Sequence, residues 1–368
     1  MSLPASNLAD APTPVPAIKT GEFITLTIAP QCGEEIQALC RRLVTQIRES
    51  AATPLHLLAF GDVRASAAAL EALRKEFGRV DWPITWIEGA ACDGGLIAGI
   101  HVQAFTGGVE RIMFGGRVVG SVFTDGGARQ CLIGGLTPAE KTVSRAEQTR
   151  LVLEDLQTVL AQAGFDLADT VRTWFFLEDI LAWYDGFNRA RTKIYSGMKF
   201  RTGSLPASTG VGAKNPAGAA LALAAWACRP LGKNPGAAEV ASPLQCPAPA
   251  YGSSFSRAME IPSDAGSRLS ISGTASIAPG GKSVWVGDVR KQIELTMDAV
   301  EAILRSRGLS LADLTRATAY FRHAGDAGIF AEWLVANRLA DMPVVSAQCD
   351  VCRDDLLFEL EAEADRKI

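Results

Sequence analysis

The sequence predicts an α/β (α+β) fold in which one unit, ordered helix, strand, helix, strand, strand, is written three times. Three observations carry that expectation. The segments 164–179 and 308–323 align without a gap through Gly164 and Gly308, the triplets Leu167-Ala168-Asp169 and Leu311-Ala312-Asp313, and Arg172 and Arg316. Each is preceded by an apolar series at helical spacing that starts beside a glutamine: Gln148 before Leu151, Leu153, Leu156, Val159 and Leu160, and Gln292 before Ile293, Leu295, Met297, Val300 and Ile303. The last strand alternates, with Leu356, Phe358, Leu360, Ala362 and Ala364 on one face and Leu357, Glu359, Glu361 and Glu363 on the other. Each unit is therefore expected as a mixed β-sheet with two helices packed on its apolar face.

Taken in order, residues 1–19 are rich in Pro and Ala over 11–17 and are expected to be disordered. A divergent first unit, 20–106, reads as a helix over 34–50, a strand over 55–60, a helix over 65–77 and, after Trp82-Pro83, apolar strands to Phe105. The second unit, 107–230, carries the helix after Gln148, a strand over 171–177, a second helix, Pro206 and a closing strand pair. The Gly, Pro and Ala run at 231–246 is expected as a linker. The third unit, 247–368, repeats the order with a strand over 315–321 and Pro343 before its closing strands. Trp82-Pro83 stands where Leu205-Pro206 and Met342-Pro343 stand later.

A chain of 368 residues that is 48% hydrophobic has ample material for a large core. A net charge of −4 with interspersed signs offers no electrostatic footprint for nucleic acid, and no basic stripe is interleaved with aromatics. No apolar run reaches bilayer length and the first residues lack the pattern of a signal peptide, so no membrane partner and a cytoplasmic location are expected. The eight cysteines follow no framework spacing and read as reduced thiols.

Cys349-Asp350-Val351-Cys352 has the spacing of a metal half-site, but the segment alternates like a strand, on which residues three apart point to opposite faces, and no second pair completes four ligands. His56, His101 and His323 belong to no ligand or nucleophile motif, and the Gly-rich run 210–218 matches no phosphate or dinucleotide fingerprint and reads as a tight loop. No metal and no cofactor are expected. The acids of the final strand differ from these. The matching strand of the second unit, 219–226, carries none, so a carboxylate-based site belongs to the third unit. Glu363, near the chain end, reads as solvated; Glu359, close to Cys352 and Arg353 on a face expected to be covered, reads as functional, since a buried acid is costly without a purpose.

Ile271-Ser272-Gly273-Thr274-Ala275-Ser276-Ile277, Gln292, Gly308, Ala312-Asp313 and the run from Cys352-Arg353 through Leu356-Leu357 to Glu359 and Glu361 together resemble the YjgF/RidA superfamily. Gln148, Gly164, Ala168-Asp169 and Phe187-Asn188 extend the resemblance to the second unit. It implies ligand sites in clefts between neighbouring units and, with three units in one chain, an intramolecular pseudotrimer. The deaminase branch grips its substrate carboxylate with an arginine in a Pro-Ala-Arg element; here Ser208, Val345 and Thr85 stand two residues after Pro206, Pro343 and Pro83. The chorismatase branch, which cleaves the enolpyruvyl ether of chorismate, is the closer resemblance.

Carried over from that branch, Glu359 is the expected general acid/base and Cys352 lines its pocket. The reaction delivers a proton to carbon, which calls for an acid kept protonated near neutral pH by desolvation and neighbouring negative charge; Glu361 supplies such a neighbour. A small carboxylated substrate needs cations, for which Arg353, Arg172, Arg189, Arg191, Arg201 and Lys214 are the candidates. Ser272, Gly273 and Ala275 are expected to turn backbone amides toward the ligand, and Phe255 completes the substrate-binding set. Two other functions fit the same residues: an enamine or imine deaminase with a rearranged carboxylate grip, and a metabolite-binding protein without turnover.

Overall fold

The computed structural model describes residues 17–367. The first region contains β1 (Ala17–Thr20), β2 (Phe23–Ile28), α1 (Ile36–Glu49), β3 (Thr53–Gly61), α2 (Ser66–Phe77), β4 (Ile84–Ile87), β5 (Ala90–Ala91) and β6 (Ile97–Phe105). The second region contains β7 (Glu110–Phe114), β8 (Arg117–Asp125), β9 (Ala128–Leu136), α3 (Arg145–Gln162), β10 (Thr170–Leu177), α4 (Tyr184–Tyr195), β11 (Ala207–Gly212) and β12 (Leu221–Pro230). The third contains β13 (Ala238–Val240), β14 (Ala258–Ser263), β15 (Gly266–Ala275), α5 (Val289–Arg305), β16 (Leu314–Phe321), α6 (Ala327–Ala336), β17 (Val344–Gln348) and β18 (Phe358–Lys367). The sheet orders are β1-β2-β6-β3-β4, β11-β10-β12-β9-β8-β7 and β13-β14-β15-β18-β16-β17-β5. In each, one parallel pair (β3/β4, β10/β11, β16/β17) flanks antiparallel neighbours, which is the expected mixed sheet.

The residues shared by the two clear copies have structural reasons. Gly164 and Gly308 end their helices at φ +73° and +74°, a conformation that glycine adopts without strain. Asp166 with Asp169, and Ser310 with Asp313, close reciprocal capping boxes one turn later. Gln148 accepts a hydrogen bond from the Ala220 amide at 2.9 Å, and Gln292 one from the Leu357 amide at 2.8 Å. Each glutamine thus ties the head of the long helix to the residue before the closing strand.

Every strand face has a covered side. α1 and α2, α3 and α4, and α5 and α6 each pack on the outer face of their own sheet, where residues such as Leu43, Leu156 and Val300 are fully buried. Truncating a leucine of this kind to alanine costs about 2–5 kcal/mol. The inner faces of all three sheets meet in one further core, where Phe60 from the first sheet lies 6.4 Å from Phe176 of the second and 5.9 Å from Tyr320 of the third, ring centre to ring centre. The strand β5 leaves the first region to pair with β17, Ala91 opposite Ala347.

Some expectations are corrected. The segment expected as a linker carries β13, which pairs with β14 and extends the third sheet. Ala17 to Lys19, expected as disordered, lie in β1, and residues 1–16 fall outside the described residues. Cys349 and Cys352 follow β17 in a loop rather than sitting on a strand. Among the described residues, no helix is long and apolar enough to cross a membrane.

Candidate active site

The edge of β11 meets the third sheet region through two isolated bridges, Ala207 with Ser256 and Gly212 with Asp350, and a cleft opens between these contacts. Glu359, Gly273, Arg191, Arg257, Arg353 and Phe255 line it. Tyr184, Tyr251, Ser253, Cys352 and Arg353 also border a wider outer recess with Arg189, so the cleft reaches solvent past these side chains.

Glu359 comes from β18, opposite Ala275 of β15 and Tyr320 of β16. The strand alternation that puts Phe358 and Leu360 into the helix-facing core turns Glu359 inward, where it is 4% exposed. Among the described residues its carboxyl makes no hydrogen bond. Room for it depends on Gly273, because a Cβ there would overlap Glu359 Oε1. Burial pushes the Glu359 carboxyl up to about 8, the negative charge of Glu361 adds to the rise, and Arg172 and Arg257 oppose it. The acid is then mostly protonated at neutral pH.

Glu361, two residues on, has the opposite fate. Burial alone would raise it, but Arg316 and Arg172 with the hydroxyls of Thr209 and Thr318 hold its carboxyl below the usual range. Arg172 Nη2 donates to Glu361 Oε2 at 2.8 Å, and Arg316 Nη2 to Glu361 Oε1 at 3.0 Å. Two carboxyl groups on one strand face therefore hold different protonation states, an arrangement suited to general acid chemistry.

Three guanidiniums line the cleft with no carboxylate partner among the described residues. Arg191, 2% exposed, reaches Ser208 Oγ at 3.4 Å and Asn188 Oδ1 at 2.8 Å, and its Nε has no partner. Arg257, 3% exposed, donates to the Cys246 carbonyl and lies over the rings of Tyr251 and Phe255. Arg353 donates to the Gly281 carbonyl at 2.9 Å and lies over Tyr251. Buried cations without counter-ions are costly, and an anionic ligand in the cleft removes that cost.

The other expected site residues divide. Cys352 lines the cleft as a thiol, since burial and Glu359 push it up to about 12. Ala275 lines it too. Arg172 stands behind the wall, held by Glu361 and Thr209. Arg201 is bound to Asp169 at 2.5 Å, away from the cleft, Arg189 borders only the outer recess, and Lys214 faces Glu88 at 3.8 Å. The amides of Ser272 and Gly273 do not face the cleft: they donate to the Arg257 carbonyl and to Thr209 Oγ1. Ser272 Oγ accepts from the Ser208 amide and donates to the Ser256 carbonyl, so it fastens the wall. Glu363, read as solvated, is 1% exposed and bound by Arg316 at 2.9 Å and Gln103 at 3.1 Å. Arg257, Tyr184 and Tyr251 were not expected; the one sequence signal for Arg257 is a charge between Ser256 and Ala258 at the mouth of an apolar strand.

The two corresponding clefts are filled. Between the third and first sheets, Val345 occupies the space beside Gly99, where a Cβ would lie 2.5 Å from Val345 Cγ2. Between the first and second, His56 Nε2 and Thr85 Oγ1 meet at 2.8 Å against Gly134. In the register of the strand pairs, Ala222 and Gly99 occupy the position of Glu359, so neither filled cleft has an acid there.

Residues 132–221 match the family model described as Endoribonuclease L-PSP. The chain is 28% identical over 242 residues to 3-hydroxybenzoate synthase of Streptomyces hygroscopicus, covering 58% of this chain and 68% of that one. A chorismatase crystal structure superposes with a TM-score of 0.66 at 21% identity, over 95% of this chain and all of that one, which establishes a common fold. The crystal structure of yeast Mmf1 aligns with 36% of this chain and 99% of its own, at 20% identity and a TM-score of 0.30.

Proposed function

We propose that this chain belongs to the chorismatase-like branch of the YjgF/RidA superfamily and cleaves the enolpyruvyl ether of chorismate, releasing pyruvate, in the cleft between its second and third units. The observation that carries this reading is Glu359: a buried acid, raised to about 8, in a cleft lined by arginines that have no carboxylate partner among the described residues. Three units form the covalent pseudotrimer, and the third supplies the acid.

The chemistry follows from the charges. Chorismate is a dianion, and Arg191, Arg257 and Arg353 give the cleft cations for both carboxylates while Glu359 is neutral. Proton transfer from Glu359 to the terminal methylene carbon of the enolpyruvyl group turns that carbon into a methyl and leaves an oxygen-stabilised cation at the ether carbon. Water addition there gives a hemiketal, and breaking the bond from its carbon to the ether oxygen, which stays on the ring and takes up a proton, gives pyruvate and a dihydroxycyclohexadienoate. Capture within the substrate, with ring aromatisation, gives pyruvate and a hydroxybenzoate with no net water. The Glu359 carboxylate left behind sits beside Arg172 and Arg257, which favour the charged form once the proton has gone. Cys352, uncharged and at the mouth of the cleft, shapes the space around the ring.

One observation favours a second reading. Arg191 Nη1 lies 3.4 Å from Ser208, at the position where the deaminase branch carries its carboxylate-binding arginine. An enamine deaminase uses such a grip but does not require a protonated buried acid. Incubation of the purified protein with chorismate, and separately with an enamine generated in situ, separates the two. Pyruvate with an aromatic or dihydroxylated ring product is the expected result; ammonium from the enamine and no pyruvate from chorismate overturns it.

A further inference from the structure

We propose that Glu361, Arg172 and Arg316 form a charge cage that positions the proton of Glu359, and that the first unit, whose own cleft is filled, closes this cage. The inference rests on the function proposed above for its kinetic readout alone. Four hydrogen bonds consume the inner-face charges. Arg172 Nη2 binds Glu361 Oε2 at 2.8 Å and Thr209 Oγ1 at 2.6 Å, while Arg316 forks to Glu361 Oε1 at 3.0 Å and Glu363 Oε1 at 2.9 Å. The first unit seals the far side: Gln103 Nε2 donates to Glu363 Oε2 at 3.1 Å, and His101 Nε2 meets Thr318 Oγ1 at 3.2 Å, whose hydroxyl donates to Glu361. Thr209 joins cage and cleft, because its oxygen accepts from the Gly273 amide at 3.0 Å and its hydroxyl donates to Glu361 Oε2 at 2.6 Å.

Without Glu361, two guanidiniums buried at 1% and 3% exposure would be left with one carboxyl fewer on the face that Glu359 shares. Either could then take Glu359 as its counter-ion, and Glu359 would no longer hold a proton at neutral pH. The cage accounts for why the two clear copies share an arginine at 172 and 316 while only the third unit has acids for them. The other titratable groups around Glu359 are Tyr320 from β16, Tyr184 and Arg191 from α4, Arg257 before β14, Tyr251, and Cys349, Cys352 and Arg353 from the loop ahead of β18. None of them hydrogen-bonds to the cage among the described residues, and Tyr320, the one coupled to Glu361 and Arg316 by charge, is kept neutral by burial, so the cage's effect is separable by sign.

Glu361→Gln removes a repelling charge and frees Arg172, so the alkaline limb of kcat/KM moves down by about one to three pH units. Arg172→Met removes an attracting charge and leaves Glu361 less compensated, so the limb moves up; Arg172→Lys leaves it near the wild-type position. The same titrations are followed without turnover by carbon-13 NMR of labelled glutamate side-chain carboxyls, with Glu359 assigned by its loss in Glu359→Gln. Opposite shifts in the two variants support the cage, and where one variant does not fold, the signed shift of the other decides. Shifts of the same sign, or none, overturn it. If the wild type does not act on chorismate but the NMR shifts are opposite, the cage stands and the proposed function falls.

Discussion

Glu359→Gln lowers kcat on chorismate about 10³-fold, the usual scale of a general acid, and leaves KM within a few-fold of wild type. Glutamine keeps the volume of the side chain and cannot give up a proton, so the loss isolates proton delivery from packing. The variant also stays folded for a physical reason. The Glu359 carboxyl is raised from 4.5 to about 8 by folding, so the folded state binds its proton more tightly than the unfolded chain does. The stability contributed by that proton is fully present below about pH 4.5 and is lost as the pH rises to about 8. Glutamine has no such loss. The melting temperature of Glu359→Gln relative to wild type is therefore expected to rise between pH 5 and pH 8, and a variant that melts far below wild type at every pH would mean that the lost activity reflects misfolding.

Gly273→Ala is the second large effect, about 10²-fold in kcat. The methyl group would overlap Glu359 Oε1, and Gly273 cannot retreat because its amide is bound to Thr209. Either the carboxyl swings out of its place or β15 shifts away from β18, and both move the proton donor from the reacting carbon. Gly325→Ala, where an added methyl meets nothing, serves as the control and keeps wild-type activity. Equal activity in the two variants would place the reacting atoms elsewhere.

The fold was legible in the sequence because its signals are local. Helical spacing after Gln148 and Gln292, the Gly and Leu-Ala-Asp landmarks, and the period of two in the last strand each depend on residues within one turn or one pleat. The third-unit acid was legible for the same reason: alternation with Phe358 and Leu360 fixes the face of Glu359. What was not legible arises between units. Arg172 reads as a candidate for the substrate's carboxylates, because the carboxylate it actually binds lies 189 residues away. Glu363 reads as a solvated end because its cover, Gln103, is 260 residues distant. Arg257 carries no spacing signal, and only the bridge of Ala207 to Ser256 brings it to the cleft. Arg201 is a candidate by residue type alone, and its guanidinium is held by Asp169 away from the cleft.

The pH dependence of kcat/KM for pyruvate release from chorismate tests the central claim most directly. With Glu359 as the protonated donor, the rate is level near pH 6 to 7 and falls about tenfold per pH unit above about 8, and Glu359→Gln retains only a slow rate without that limb. A rate that instead rises through pH 4 to 5 and stays level to pH 9, or no pyruvate from folded wild-type protein, would contradict the account.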